Sequence, residues 1–203
     1  MKIKKLLLFA LVATLTVPSF QSCKKGENDP FLSLKSRKAR LKGDWELTSL
    51  NQTEVSGSTI ITYTFNGSLL TVTSGSTYTS YTYSEKITFE TDGTFTQEMT
   101  QSISGAMHSY TGKGNWWFGR RNKEAEYKNK ETVVLQFTSE NTVSSSGSST
   151  TTSVATYTGS ECDTEVWLID ELKSKEMVII NDGTYTSSGS ISTITGTSTY
   201  EKK

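Results

Sequence analysis

The sequence predicts an all-β protein, an antiparallel sandwich or barrel, from three observations. First, apolar residues fall at every second position in Ile61-Tyr63-Phe65, Tyr81-Tyr83, Ile87-Phe89, Trp116-Phe118 and Val133-Leu135-Phe137, with mainly polar residues between. That period of two marks strands with one buried face. Second, about three residues in ten are Ser or Thr, and with Tyr, Val and Ile they favour a pleated, half-buried surface. Third, Asn66-Gly67, Asp92-Gly93 and Asp182-Gly183 are pairs that suit two-residue type I′ hairpins. Low-complexity disorder competes as an explanation for the Ser and Thr content. The alternation decides for strands.

Element by element, the chain opens on a basic Met-Lys-Ile-Lys-Lys and an apolar run from Leu6 to Val17. These 12 positions are fewer than the roughly 20 a spanning helix needs. With the small Ser22 before Cys23 they predict a cleaved secretory leader over residues 1–22. Residues 23–42 form a linker carrying a short basic helix. Phe31, Leu34, Lys38 and Leu41 recur at three- and four-residue steps over Pro30 to Leu41. Asp29 is the candidate N-cap, Pro30 the first helical residue, and Gly43 the stop.

Residues 43–203 form the β domain. Strands are expected over 44–51, 58–66, 68–74, 77–90, 94–103, 107–118, 131–138, 164–171 and 175–181, with 184–188 and 191–200 as a closing pair. Ser144 to Ser153 has no apolar partner set and reads as a loop or a long solvated hairpin tip. Short strands with turn signals every 8–12 residues imply antiparallel pairing. No helical crossover lies between them, which argues against a parallel sheet.

The net charge is formally zero with pI about 6.6, which gives no support for nucleic-acid binding. Positive charge concentrates locally in Lys24, Lys25, Lys35, Arg37, Lys38, Arg40 and Lys42, against Glu27 and Asp29. Beside a lipid anchor such a run can lie on anionic head groups, at about 1 kcal/mol per basic residue. A solvated linker face is the equal alternative. Cys162 is the only other cysteine, so an acylated Cys23 leaves it unpaired, and a free, buried thiol is expected.

Catalytic constellations are hard to find. His108 is the only histidine and reads as a surface or hairpin residue. There is no His-Glu-x-x-His, no cysteine pair at metal spacing, no Gly-x-Ser-x-Gly elbow and no phosphate loop. The carboxylate pairs Glu124/Glu126, Asp170/Glu171 and Glu161/Asp163 read as solvated charge. No enzyme, no metal and no cofactor is expected.

Two resemblances sharpen this picture. Phe20-Gln21-Ser22-Cys23 resembles a loose lipobox of the kind common in Bacteroidota, in which the leader is cut before a cysteine that is then lipidated. Leu41-Lys42-Gly43-Asp44-Trp45-Glu46-Leu47 looks like the Gly-x-Trp opening of lipocalin-like domains. The order and spacing of Phe31 to Arg40, Ile87 to Phe95, Gly114 to Phe118 and Val166 to Leu172 resemble the lipocalin-like lipoproteins of Bacteroidota. The resemblance implies an up-and-down antiparallel β-barrel of about eight or more strands, open at one end, anchored to the outer membrane through Cys23. It also implies a short helix at the N-terminal side. Trp45 would lie across the closed end with its indole N–H on a backbone carbonyl.

The inward candidates for a ligand cavity are Trp45, Leu47, Tyr63, Phe65, Tyr83, Phe89, Phe95, Trp116, Phe118, Phe137 and Trp167. An eight-stranded barrel either holds one small ligand or is filled by its own side chains, and residues this large suit both. The expected function is a monomeric, lipid-anchored binding protein of the cell envelope that holds a small hydrophobic molecule. The alternative is a non-enzymatic structural or interaction module, such as an accessory subunit of an envelope complex.

Overall fold

The computed structural model describes residues 28–30, 35–122, 124, 131–187 and 190–203. The leader, Cys23, Lys24, Lys25 and the 31–34 part of the expected helix lie outside the described residues. Eleven strands are seen among those described: β1 Gly43–Ser56, β2 Thr59–Phe65, β3 Leu69–Ser74, β4 Thr77–Phe89, β5 Thr94–Ile103 and β6 Ala106–Phe118 in the first half. β7 Thr132–Ser146, β8 Ser149–Thr156, β9 Thr164–Leu172, β10 Glu176–Ser187 and β11 Ser190–Lys202 complete them.

The alternation seen in the sequence closes into an antiparallel barrel. The strand order is β6-β5-β4-β3-β2-β1-β11-β10-β9-β7-β8, and a β6–β7 ladder joins the ends. Neighbours in sequence are mostly neighbours in space, so the topology is up-and-down. At one end β1 pairs directly with β4, from Gly43↔Phe89 to Glu46↔Lys86. The ring there has eight strands: β1, β4, β5, β6, β7, β9, β10 and β11. Higher up, the β2–β3 hairpin wedges between β1 and β4.

The far end opens sideways as well. Below Phe137, β7 pairs with β9. From Ser139 upward it pairs with β8 instead. The β9–β10 ladder ends at Leu168↔Ile180, so β10 above that point is held by β11 alone. A lateral split results between β9 and β10.

The closed end is packed solid. Trp45, Ile87, Phe89, Leu135, Ile169, Leu172 and Met177 are 0% exposed. Rings meet edge to face, Phe95 on Phe137 at 5.0 Å and Phe89 on Trp116 at 5.4 Å, the favoured geometry for aromatic pairs. The Trp45 indole N–H donates to the Leu41 carbonyl at 2.6 Å, and Lys202 Nζ sits 4.8 Å over its ring. Close approach replaces side chains at Gly114, where a Cβ would stand 1.9 Å from the Gln136 carbonyl oxygen.

Helix α1 is short, Arg37–Leu41, and Ser36 caps it by accepting from the Ala39 N–H at 3.2 Å. Asp29 is therefore not the cap of this helix. Its carboxylate is fully buried, accepts from the Leu172 N–H at 2.8 Å and pairs with Arg40 at 3.0 Å and Arg37 at 3.5 Å. Both guanidinium groups continue to barrel carbonyls, Arg37 to Ile169 and Arg40 to Leu172. Burial lowers the Arg37 pKa, and Asp29 opposes that shift. Of the local basic run, Arg37 and Arg40 thus plug the barrel, while Lys35, Lys38 and Lys42 face solvent.

Several turns differ from the type I′ expectation. Asp182-Gly183 is no turn at all, because β10 runs through it to Ser187 with Gly183 opposite Ile194. At Asn66-Gly67 and Asp92-Gly93 only the glycine has positive φ, 94° and 95°. In both, the first side chain instead accepts backbone N–H bonds, Asp92 Oδ1 from Thr94 at 2.9 Å. Both central residues turn left-handed at Ser104-Gly105, which joins β5 to β6. Ser144 to Ser153 is mostly strand, with its hairpin tip at Gly147-Ser148.

Candidate ligand site

Register fixes which side chains point inward. Cross-strand partners share a face. From the buried Trp45 and Leu47, a bulge at Thr48 shifts the parity, so Leu50, Gln52 and Glu54 point in. Their partners Phe65, Tyr63 and Ile61 on β2 follow. On β4 the inward row is Tyr81, Tyr83, Glu85, Ile87 and Phe89. A second bulge at Thr138 on β7 brings Glu140 inward after Phe137. On β9 the row is Glu165, Trp167 and Ile169.

The interior therefore changes character along its axis. Most of the expected cavity residues fill the closed half: Trp45, Leu47, Phe65, Phe89, Phe95, Trp116 and Phe137 are buried in one apolar cluster, with Phe118 against its rim. Tyr63, Tyr83 and Trp167 stand higher and are only partly buried. Above the cluster the walls become phenols, carboxylates, amides and hydroxyls.

Carboxylates in this upper half are each held by aromatic donors. The Tyr63 hydroxyl donates to Glu54 Oε2 at 3.1 Å, and Tyr185 donates to the other oxygen. Glu85 accepts from Tyr83 at 2.9 Å, Tyr200 at 2.9 Å and the Gln97 amide at 3.0 Å. Glu140 accepts from Tyr110 at 2.6 Å and Tyr157 at 2.5 Å. The Trp167 indole N–H donates to Glu165 Oε2 at 3.1 Å, and its ring stacks on Tyr200 at 5.6 Å.

These contacts set the protonation of the groups. Burial and then the Glu54 carboxylate push the Tyr63 phenol up to about 12. Tyr83, Tyr110 and Tyr200 rise for the same two reasons, so all remain donors at neutral pH. The Tyr185 hydroxyl holds Glu54 below the usual carboxylate range. Glu165 moves the other way. Loss of hydration raises it first, then the like charges of Glu85, Asp163 and Glu140, against the Trp167 N–H. Glu165 is exposed to solvent and lines the cavity where β9 and β10 part, so solvent screening moderates its shift.

Two cavities occupy the upper interior. One of about 400 Å³ lies where β9 and β10 part, lined by Gln52, Glu165, Trp167, Ile179, Asn181 and Ile194 among others. A second of about 290 Å³ lies against β4 to β7, with Tyr83, Met99, Gln101, His108, Tyr110 and Thr142 in its wall. Ligand pockets of about 300–1,000 Å³ are typical.

His108 is thus inward and half-buried, its Nδ1 2.8 Å from Ser144 Oγ, and is no surface histidine. Cys162 is unpaired and half-buried, less enclosed than expected. Asp170 and Glu171 are engaged by Asn28 and Lys173. Among the described residues no group of three or more His, Cys, Asp or Glu is placed to hold a metal ion, and no helix is long and apolar enough to cross a membrane.

Sequence reasoning missed the inward glutamates. For Glu85 and Glu165 the signal was present, a carboxylate two positions from an inward ring in Tyr83-Ser84-Glu85 and Glu165-Val166-Trp167. Comparison with known proteins identifies no relative: no family model matches the chain, and no curated protein or solved structure matches it.

Proposed function

We propose that the chain is a lipid-anchored, lipocalin-like binding protein of the outer membrane that holds a small ligand in the upper half of its barrel. One observation carries this reading. The barrel is packed solid at one end and left concave at the other, with a cavity of about 400 Å³ at the lateral split. A barrel evolved only as a scaffold gains stability by filling that volume. Anchoring through Cys23 fits the geometry of the N-terminal segment. The Asn28 amide donates to both Asp170 carboxylate oxygens at 2.9 and 3.0 Å, and Asp29 is locked under the closed end. Five residues of chain reach at most about 18 Å. An acylated Cys23 would hold the closed end toward the bilayer and the mouth away from it.

The test is mass spectrometry of small molecules co-purifying with the full-length protein, with fluorescence of Trp167 as a binding readout. Recovery of a stoichiometric small molecule supports a carrier. A protein that purifies empty and binds no small molecule at millimolar concentration ends that reading. Replacing Cys23 by Ser should move the folded protein out of the membrane fraction. Retention there would end the lipoprotein reading.

A second reading, an interaction module, draws on the strand edges freed by the split and on exposed apolar residues near the tips. Ile60, Tyr78, Val154 and Ile191 are all more than half exposed. Unpaired edges are templates for strand addition. Native pull-down that returns a stoichiometric protein partner would favour this module over the carrier.

A further inference from the structure

We infer that the mouth selects an organic cation carrying a short apolar tail, a substituted ammonium or guanidinium. This rests on the carrier reading and names its ligand class, which differs from the neutral hydrophobic molecule that the aromatic content alone suggested.

The argument begins with the inward register of the upper half. Four carboxylates point inward there from four different strands: Glu54 on β1, Glu85 on β4, Glu140 on β7 and Glu165 on β9. They are spread around the upper interior and do not form one cluster, and Glu165 is the one that lines the cavity at the split. No lysine or arginine occupies an inward position of the upper half among the described residues. The inward Lys202 sits at the closed end on the Arg40 carbonyl, and Lys86 and Lys113 alternate outward. His108 is the one inward basic group above the core, and its ring nitrogen is bonded to Ser144.

Glu54, Glu85 and Glu140 each accept two or more hydrogen bonds, whereas Glu165 has the Trp167 N–H alone and is raised by burial and like charges. A bound cation offsets that charge at the cavity wall, and an anionic amphiphile would add to the repulsion. The rings add to the preference. Trp167 lines the cavity at the split and is only partly buried, and aromatic faces attract ammonium and guanidinium groups by about 0.5–2 kcal/mol.

The cavity at the split places head and tail. Glu165 and Trp167 form the wall at its β9 side, while Ile179 and Ile194 line its β10–β11 side. The head group would lie against the Glu165 carboxylate beside the Trp167 indole, and the tail on the two isoleucines. A bare metal ion is a poor fit, because no three carboxylate, histidine or thiol groups converge among the described residues.

The experiment compares three probes of equal tail length, hexyltrimethylammonium, hexanol and hexanoate, all too short to form micelles at the concentrations used. Binding to the full-length protein is read by calorimetry and by Trp167 fluorescence, with Glu165→Gln alongside. The ammonium probe should bind at least about tenfold more tightly than the other two. Glu165→Gln should weaken it about tenfold and leave hexanol unchanged, and an unaltered circular dichroism spectrum shows that the variant is folded. Equal or tighter binding of hexanol or hexanoate overturns the inference and leaves the carrier reading standing. So does an ammonium affinity indifferent to Glu165→Gln. Binding of none of the three overturns both.

Discussion

At the closed end, large apolar side chains fill most inward positions of eight strands, and among the described residues the charges admitted are the Asp29, Arg37 and Arg40 group and Lys202, all tied to backbone carbonyls or to each other. In the mouth the same strands carry Glu, Gln, Tyr, Ser and Thr on the same face, around space that the chain does not fill. The difference teaches where stability and function reside. Burial is worth about 25 cal/mol per Å² of apolar surface, so most of the folding energy is placed at the closed end. The mouth contributes less to stability, so its residues are less constrained by packing.

The largest expected effect is therefore at the plug. Asp29→Ala leaves two buried guanidinium groups without their carboxylate, and removal of one partner from a buried ion pair costs about 3–5 kcal/mol. Chemical denaturation should show that loss. A change under about 1 kcal/mol would mean that the segment below the barrel is not part of its cooperative unit. Next comes Gly114→Ala, whose Cβ meets the Gln136 carbonyl at the tightest strand crossing. Overpacking against backbone costs about 1–3 kcal/mol, and unfolding should report it. Tyr157→Phe removes one of two phenol donors from Glu140 in the mouth. The loss is small, since the carboxylate keeps the Tyr110 donor. A mouth variant as damaging as the plug variant would break the contrast between the two ends.

Much of the closed end was legible in the sequence. The alternating apolar residues of Ile87-Phe89 and Val133-Leu135-Phe137 follow from period two, and Trp45 on a carbonyl was expected from its place in the Gly-x-Trp opening. Seven of the strands fall near their expected limits, but β1, β7 and β10 run five to eight residues further, and β8 forms where a loop or hairpin tip was expected. The mouth was less legible, for local reasons. Bulges at Thr48 and Thr138 flip the parity of β1 and β7, so counting by twos from Trp45 or Phe137 puts Glu54 and Glu140 on the wrong face. A bulge leaves no fixed sequence mark. Asp182-Gly183 carries turn chemistry, yet β10 continues because its partner β11 continues: tertiary pairing overrode the local preference. Asp29 read as a helix cap because its burial against Arg40 depends on Leu172, far along the chain.

The smallest stability effect has the opposite sign to the largest. Loss of the Asp29 carboxylate costs stability, whereas the charge on Glu165 is held against burial and like-charged neighbours, which raise its pKa in the folded protein. A carboxyl whose folded pKa lies above its unfolded value binds its proton more tightly when folded. Stability from this group is present below the ordinary carboxylate range and is lost as pH rises through the folded pKa. Glu165→Gln removes that loss, so the variant should be more stable than the parent at pH 7.5 and equal to it at pH 4. Solvent access to the carboxylate keeps the gain small, about 1–2 °C in Tm. Thermal melts at the two pH values check it, and a lower Tm for the variant at pH 7.5 would show that the carboxylate stabilises the empty barrel. Adding hexyltrimethylammonium should then invert the order, since only the parent retains the charge that the cation neutralises.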